Sequence, residues 1–395
     1  MSNQQAKHHI RQHIHVRKPT ISRIMNETVR EALMKQRSYR EKCRSGGRAG
    51  NTLSTIKDVS KFSGLSLATI SKYLNGGNVR DENRQRIDEA VKVLGYRINR
   101  NARSLKTNRT MTVGVVMPTL SIPFFGSVIS SLDQTLREAG YTSFVCSYDF
   151  DRDLELEKLR VLCNNNVDGI VLVAQYVSAK ELNEIRNSRG SEMPMVLVDR
   201  TITGFVCDSI VIDNLNATYG AVERLINAGH RHIGIIVGPL DISTANERMV
   251  GYRRALEDYG ITVETGPRRS DGMHEELIQI GRYDFESGYR QFNNFMDMEN
   301  PPTALCVTNY DMTMGAVTAA HERNIILGRD IGFVGFDAVD LCRIVSPPLS
   351  IVEQPTQLMG QKAGEVLLKR MAGETLPHPQ VIRLKSYLHN RIYKE

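Results

Sequence analysis

Nine apolar runs, spaced from Thr112 onward and separated by segments of helical periodicity, constrain the fold of this chain more than any other feature. They read TVGVVMP, SFVCSYD, GIVLVA, MVLVDR, SIVID, HIGIIVGP, TALCVTN, DIGFVGFD and LSIVEQ. A run that is apolar at nearly every position has both faces buried, as parallel strands do when helices cover each side of the sheet. Nine such strands are too many, and too broken, for one small domain, so they predict two α/β lobes. A chain of 395 residues is long enough for two or three cores.

Charge divides the chain in the same place. Residues 1 to 110 carry 24 basic and 8 acidic side chains, whereas residues 111 to 395 carry 27 and 36. A basic head on an acidic body predicts that only the head meets a polyanion.

The head itself has helix-turn-helix spacing. Ile56, Val59 and Phe62 line one face of a first helix, Gly64 supplies a turn, and Ile70, Tyr73 and Leu74 line a second helix that opens after Ser66. With Ser66 as N-cap, Leu67, Ala68, Ser71 and Lys72 fall on the outward face, where a major groove would lie. A third helix, from about Asp81 to Leu94, shows Ile87, Ala90, Val91 and Leu94 at core spacing and ends at Gly95.

Other function classes are excluded by what the residues do not form. Six widely spaced cysteines without a CxxC predict reduced core thiols, and no run approaches the roughly 20 apolar residues needed to span a bilayer. There is no apolar segment of signal-peptide type in the first 50 residues, so a cytoplasmic protein is expected. No GxSxG, P-loop, GxGxxG or HExxH occurs, and His230 and His232 read as flanking a strand. The expectation is no enzyme, no cofactor and no metal; His8, His9, His13 and His15 read as part of a polar, disordered tail. A sugar-binding transport protein would share the body but lack the basic head. A nucleotide-binding α/β enzyme with an accessory head is the reading from a different class, which turnover of a tightly bound ligand would favour.

TIKDVSKFSGLSLATISKYLNG and LGYRINRNARSLKT resemble the head and hinge of the LacI/GalR family of bacterial transcription regulators. The resemblance continues in PTLSIPFF, DNLNATYGAVERLINAGHRHIGIIVGP, ERMVGYRRAL and VGFDAVDLCRIVSPPLSIVEQP. It implies an N-terminal all-α helix-turn-helix head with a hinge helix, and a two-lobed α/β body like that of the periplasmic binding proteins. The layout expected is a partly disordered basic extension (1–52), the DNA-binding head (53–98), a hinge (99–109) and a two-lobed effector-binding and dimerisation body (110–395). Within that body the implied lobes are 110–213 with 345–377, and 214–344 with the C-terminal strand. For the extension two readings stand side by side: an added DNA or partner contact, or a start at Met25 or Met34.

By the same resemblance, Leu67, Ala68 and Lys72 read base edges and Ser66, Ser71 and Asn75 anchor phosphates. Asn101 to Lys106 becomes a hinge helix that orders on operator DNA, with Leu105 as a minor-groove wedge and Ala102 small enough for close approach. The implied effector cleft holds Phe124, Phe125, Asp199, Arg248, Tyr283, Asn309 and Asp337, facing a sugar-like ligand. The implied partners are double-stranded operator DNA, that effector and a second copy of the chain. No leucine heptad follows the last strand, so a dimer is expected. Four positions depart from the family pattern: Arg80 where a Ser or Thr cap is usual, with Asp81 expected to cap instead; Ile98 for Pro; Tyr310 for a ligand-binding Asp; and Ile122 for a polar residue.

Overall fold

The computed structural model describes residues 54–74, 76–96, 109–188, 192–261, 277–374 and 379–389, without the side chains of Cys342 and Arg343. The expectations for the extension, Asn75, Ile98, Asn101, Ala102 and Leu105 lie outside the described residues. The chain divides into two units, Met1–Ala102 and Arg103–Glu395.

In the first unit, helices α1 (Ile56–Ser63), α2 (Leu67–Leu74) and α3 (Asp81–Leu94) close on a small core of Val59, Ile70, Ile87 and Ala90. Local chemistry sets each boundary. Thr55 and Asp58 form a reciprocal capping box at the start of α1, worth about 1 kcal/mol. Gly64 ends α1 at φ 69°, and the Ser66 hydroxyl accepts from the Thr69 amide at 3.2 Å to open α2. So small a core needs polar ties. Arg86 donates to the Ser63 carbonyl at 2.6 Å, and Tyr73 donates to the Asp88 carboxylate at 2.6 Å. The expected cap at Asp81 is not formed. The helix begins one residue earlier than that reading requires, with Arg80 in the extended cap position and Asp81 as the first helical residue. A guanidinium has no acceptor for the helix amides, so this end carries only acidic Asp81 and Glu82 against its dipole.

Among the described residues, the second unit contains two six-stranded sheets. Strands β1 (Thr112–Met117), β2 (Thr142–Ser147), β3 (Gly169–Leu172), β4 (Met195–Val198), β5 (Asp208–Ile212) and β11 (Val381–Leu384) form the first, in the order β11-β5-β4-β3-β1-β2, all parallel. Strands β6 (Ile233–Val237), β7 (Ile278–Ile280), β8 (Ala304–Val307), β9 (Gly332–Phe336), β10 (Ser350–Glu353) and β12 (Tyr387–His389) form the second, in the order β12-β10-β9-β8-β6-β7. Only β12 runs antiparallel to its neighbour there. The first sheet is buried on both faces. Helices α4 (Pro123–Glu138) and α12 (Thr356–Met371) cover one side, and α5 (Arg152–Asn164) and α6 (Ala179–Asn187) the other.

The lobes differ from the expected division. Strand β10 belongs to the second sheet, although the sequence places 345–377 with the first lobe, and only the part from α12 onward packs there. The C-terminal segment is likewise shared, β11 with the first sheet and β12 with the second. An apolar run reports burial but not its partner, so periodicity alone does not locate the crossings. The chain passes between lobes after β5, after β10 and after β11. The second lobe also contains α7 (Asn214–Asn227), α8 (Ser243–Asp258), α9 (Phe285–Met296), α10 (Tyr310–Glu322) and the short α11 (Leu341–Ile344).

Three helix pairs, α4 with α12, α7 with α8 and α9 with α10, approach closely through glycine. A Cβ at Gly360 would run into the Val128 carbonyl, at Gly251 into that of Leu215, and at Gly288 into the Met312 backbone. Backbone cannot move aside as a side chain can. Gly360→Ala should therefore cost at least about 1–3 kcal/mol of stability, whereas Gly126→Ala, in open space on α4, should be neutral or stabilising by up to about 1 kcal/mol. Thermal melting of the two variants checks this; equal melting temperatures would show that the α4–α12 contact has slack.

Candidate functional site

The outward face of α2 is the first candidate site. Ile70 is fully buried, so the helix turns Leu67, Ala68 and Lys72 to solvent, while Ser71 is half-buried. Leu67 is 42 % exposed and lies outside the core of the head. The Ser66 hydroxyl is already engaged with Thr69, at 2.9 Å from its hydroxyl and 3.2 Å from its amide.

The second site lies between the two lobes of the body. All seven expected cleft residues, Phe124, Phe125, Asp199, Arg248, Tyr283, Asn309 and Asp337, line one cavity. Each sits at or just beyond the carboxyl end of a strand, or on the first turns of the helix that follows, as open α/β sheets dictate. Phe124 and Phe125 open α4, with rings edge to face at 5.1 Å. Asn309 caps α10, its side-chain oxygen accepting from the Met312 amide at 3.1 Å while its amide group donates to the Tyr283 carbonyl at 3.3 Å. Asp199, Tyr283 and Asp337 all have positive φ, 69°, 64° and 63°. Such geometry costs roughly 1–3 kcal/mol per residue and is characteristic of ligand clamps.

Arg248 is 3 % exposed and firmly held. Its Nε donates to Asn214 at 2.9 Å, Nη1 donates to the Thr308 carbonyl, and the guanidinium lies 4.7 Å above the Phe336 ring. Asp337 faces it from the end of β9 and accepts from Gln354 Nε2 at 2.8 Å. Asn214 and Gln354 lie at two of the three crossings between lobes, so both charged groups are tied to the segments about which the lobes would move. Tyr283 lies against Gly238, where a Cβ would overlap its ring, and its hydroxyl is 3.1 Å from that of Thr244.

The sequence reading misses Phe150, Arg200, Thr244 and Gln354, which line the same cavity. Arg200 directly follows Asp199, donates to it at 3.1 Å and to Gln175 at 2.7 Å, and lies 5.6 Å over the Tyr283 ring of the opposite lobe. One Asp199 oxygen is thus engaged by its neighbour. Tyr310 and Ile122, two of the departures from the family pattern, line the cavity, whereas Asp311 does not. The free space enclosed is about 50 Å³, room for a few waters rather than a sugar-sized molecule, so a ligand must part these walls.

Burial pushes the Asp337 carboxyl up to about 6, against the opposing pull of Arg248 and Gln354. Folding therefore raises its proton affinity. Above pH 6 the folded chain holds a carboxylate that the unfolded chain tolerates better, and this cost disappears as the pH falls below about 4. A carboxyl that titrates near 6 instead of near 4 costs about 3 kcal/mol when ionised, reduced to about 1–2 because Asp337 keeps some contact with solvent. Asp337→Asn should stabilise the protein by that amount at pH 8 and by almost nothing at pH 4, as measured by denaturant melts. A gain that does not vary with pH would remove Asp337 as its source.

Among the described residues no group of three His, Cys, Asp or Glu is placed to hold a metal ion, and no helix is long and apolar enough to cross a membrane. His230 and His232 instead tie loops, to the Thr303 hydroxyl at 3.1 Å and the Asn300 carbonyl at 3.0 Å.

Comparison with known proteins places both units. Residues 55–99 match the profile of the bacterial regulatory proteins of the lacI family, and residues 222–391 match the periplasmic binding protein-like domain. The HTH-type transcriptional repressor PurR of Proteus mirabilis is 32 % identical over 342 residues, covering 85 % of this chain and 97 % of that protein. The HTH-type transcriptional regulator DegA of Bacillus subtilis is 30 % identical over 307 residues, covering 78 % and 88 %. Among solved structures, the Lac repressor dimer bound to operator and the anti-inducer ONPF shares the fold, with TM-score 0.73, 22 % identity and coverage of 86 % and 98 %. The complex of the transcriptional regulator CelR with cellobiose gives TM-score 0.62 at 26 % identity, covering 86 % and 99 %. These relatives are transcriptional regulators, not enzymes, and the chain belongs to the LacI family of bacterial regulatory proteins.

Proposed function

We propose that this protein is a cytoplasmic, homodimeric repressor whose affinity for a pseudo-palindromic operator is set by a sugar or related metabolite bound between the lobes of its body. The supporting observation is convergence: seven residues scattered from Phe124 to Asp337 line a single cleft. The domain layout follows, with residues 53–98 reading DNA, 99–109 forming the hinge that carries Asn101, Ala102 and Leu105, and 110–395 binding effector and partner. For residues 1–52, a basic extension, both readings stand: an added DNA or partner contact, or a start at Met25 or Met34. An effector acts only through different affinities for the operator-competent and operator-incompetent states.

In this reading Leu67 and Ala68 offer apolar contact to a thymine methyl, Lys72 donates to guanine, and Ser66, Ser71 and Asn75 hold phosphates. Lys72→Ala should remove about 1–3 kcal/mol of discrimination at one base pair, a 5- to 150-fold drop in the preference for that base. Fluorescence anisotropy on the operator and on single-substituted operators measures it. Equal weakening on every sequence would make Lys72 a phosphate contact.

A further inference from the structure

We propose that the second lobe carries a second ligand site, remote from the cleft, which takes a small monocarboxylate with an apolar body and holds its carboxylate on Arg224. The site is a cavity of about 730 Å³ at the amino end of the second sheet. Arg224 and Leu225 reach it from the end of α7, His230 from the loop before β6, Phe333 from the start of β9, and Pro348 and Ser350 from the chain that opens β10. Strands β6, β8, β9 and β10 are parallel, so their amino ends lie opposite the carboxyl ends that carry the cleft. Along β9 the separation from Gly332 to Asp337 is roughly 16 Å, at about 3.3 Å per residue. The cleft is nearly closed, at about 50 Å³, whereas this cavity has room for a small molecule as it stands.

Charge selects an anion. No carboxylate lines the cavity. Among the described residues the Arg224 guanidinium has no ion-pair partner, and its Nε is buried with no hydrogen-bond acceptor. Glu223 beside it accepts instead from the Tyr259 hydroxyl, at 2.9 Å. The other basic groups of the wall are already accounted for. Exposed Arg329 is matched by Asp330, at 2.9 and 3.2 Å. Burial lowers the proton affinity of His230, so its ring is neutral at neutral pH, and its Nδ1 is engaged with the Thr303 hydroxyl at 3.1 Å. One guanidinium is thus left unmatched. A buried donor without a partner calls for an acceptor that the described chain does not supply, and the planar fork of an arginine fits the two oxygens of a carboxylate. A phosphate ester, nearer to a dianion, would bring a second negative charge with no cation left to meet it.

The remainder of the wall selects the body of that anion. Leu225 and Phe333 are each 4 % exposed, and Pro347, Pro348 and Leu349 continue the apolar surface around them. A ring or branched chain gains by covering such a surface, while the Ser346 and Ser350 hydroxyls stand on the same wall as further donors. A sugar would cover the apolar wall poorly and leave Arg224 unmatched. An aryl carboxylate uses both features.

The test is isothermal titration of the full chain with benzoate and phenylacetate, beside benzamide, phenylacetamide and phenyl phosphate. Each titration is repeated on Arg224→Met, which keeps the apolar stem and whose cooperative melting confirms that it folds, on Arg224→Lys, which keeps the charge without the fork, and on Arg248→Met, which disables the cleft. The expected result is binding of the carboxylates in preference to their amides, weakened about 10- to 150-fold in Arg224→Met, by an intermediate factor in Arg224→Lys, and unchanged in Arg248→Met. Carboxylates that bind no better than their amides, that bind Arg224→Met as they bind wild type, or that bind more weakly than phenyl phosphate overturn the assignment. Binding lost in Arg248→Met but kept in Arg224→Met puts the carboxylate in the cleft and overturns it equally.

Discussion

Replacing Arg248 by methionine should give a folded protein whose operator affinity no longer responds to any ligand of the cleft. The guanidinium reaches Asn214 beside the first lobe crossing and the Thr308 carbonyl at the end of β8, and it stacks on Phe336. Methionine keeps much of the apolar stem but leaves Asn214 Oδ1 and the Thr308 carbonyl without their donor, and Asp337 without its facing cation. Loss of one charged, hydrogen-bonded partner in a buried site corresponds to about 2–5 kcal/mol, so ligand affinity should fall 30- to several thousand-fold. Asp337 should titrate higher still, because the positive charge that opposes its burial is gone. Operator titrations in the presence of ribose, glucose, cellobiose, adenine or hypoxanthine would check this. A variant that responds to the same probe at the same concentration as wild type would remove Arg248 from the site.

The largest loss of stability is expected at Glu155, which the sequence reading does not single out. Its carboxylate is fully buried beneath the loop after β3 and accepts from the amides of Gln175 at 2.8 Å, Tyr176 at 2.7 Å and Val177 at 3.3 Å. Burial pushes its titration up, and the three amides pull it back. Glu155→Ala would take the acceptor from three amides, that of buried Val177 and those of half-buried Gln175 and Tyr176, a cost of about 3–5 kcal/mol, enough to unfold a marginal lobe. Glu155→Gln should lose less, since its carbonyl still accepts while its amide group faces donors. The consequence reaches the cleft. Gln175 holds Arg200, and Arg200 meets Tyr283 across the lobes. Denaturant melts of the two variants give the order; a Glu155→Ala protein within about 1 kcal/mol of wild type would mean that the loop finds other acceptors.

The parts legible in the sequence are those with local chemistry. The Gly64 turn and Ser66 cap follow from neighbouring residues, and the nine strands from continuous apolar runs. Strand β7 escapes notice because three half-buried or exposed edge residues carry no such run. Lobe membership is misread because the apolar run of β10 reports burial but not its partner, and because β11 and β12, with exposed and half-buried residues only, carry no such run. The cap of α3 is misplaced by one residue, since acidic side chains in a first turn favour the dipole whether or not they cap. In the cleft, resemblance supplies the strand-end residues, while Arg200 and Gln354 go unnoticed. Their places depend on contacts between segments distant in sequence, Gln175 with Arg200 and Asp337 with Gln354. Nothing in a local window marks a glutamine at a strand end as a cleft residue.

The central claim is that cleft occupancy and operator occupancy are linked. Its most direct test is operator binding by the full chain at one fixed salt concentration, without ligand and with a saturating probe that titrates into the cleft. Coupling of about 1–3 kcal/mol predicts a 5- to 150-fold change in operator affinity, in either direction, and its abolition in Arg248→Met. Equal affinities with the cleft empty and filled would contradict the account.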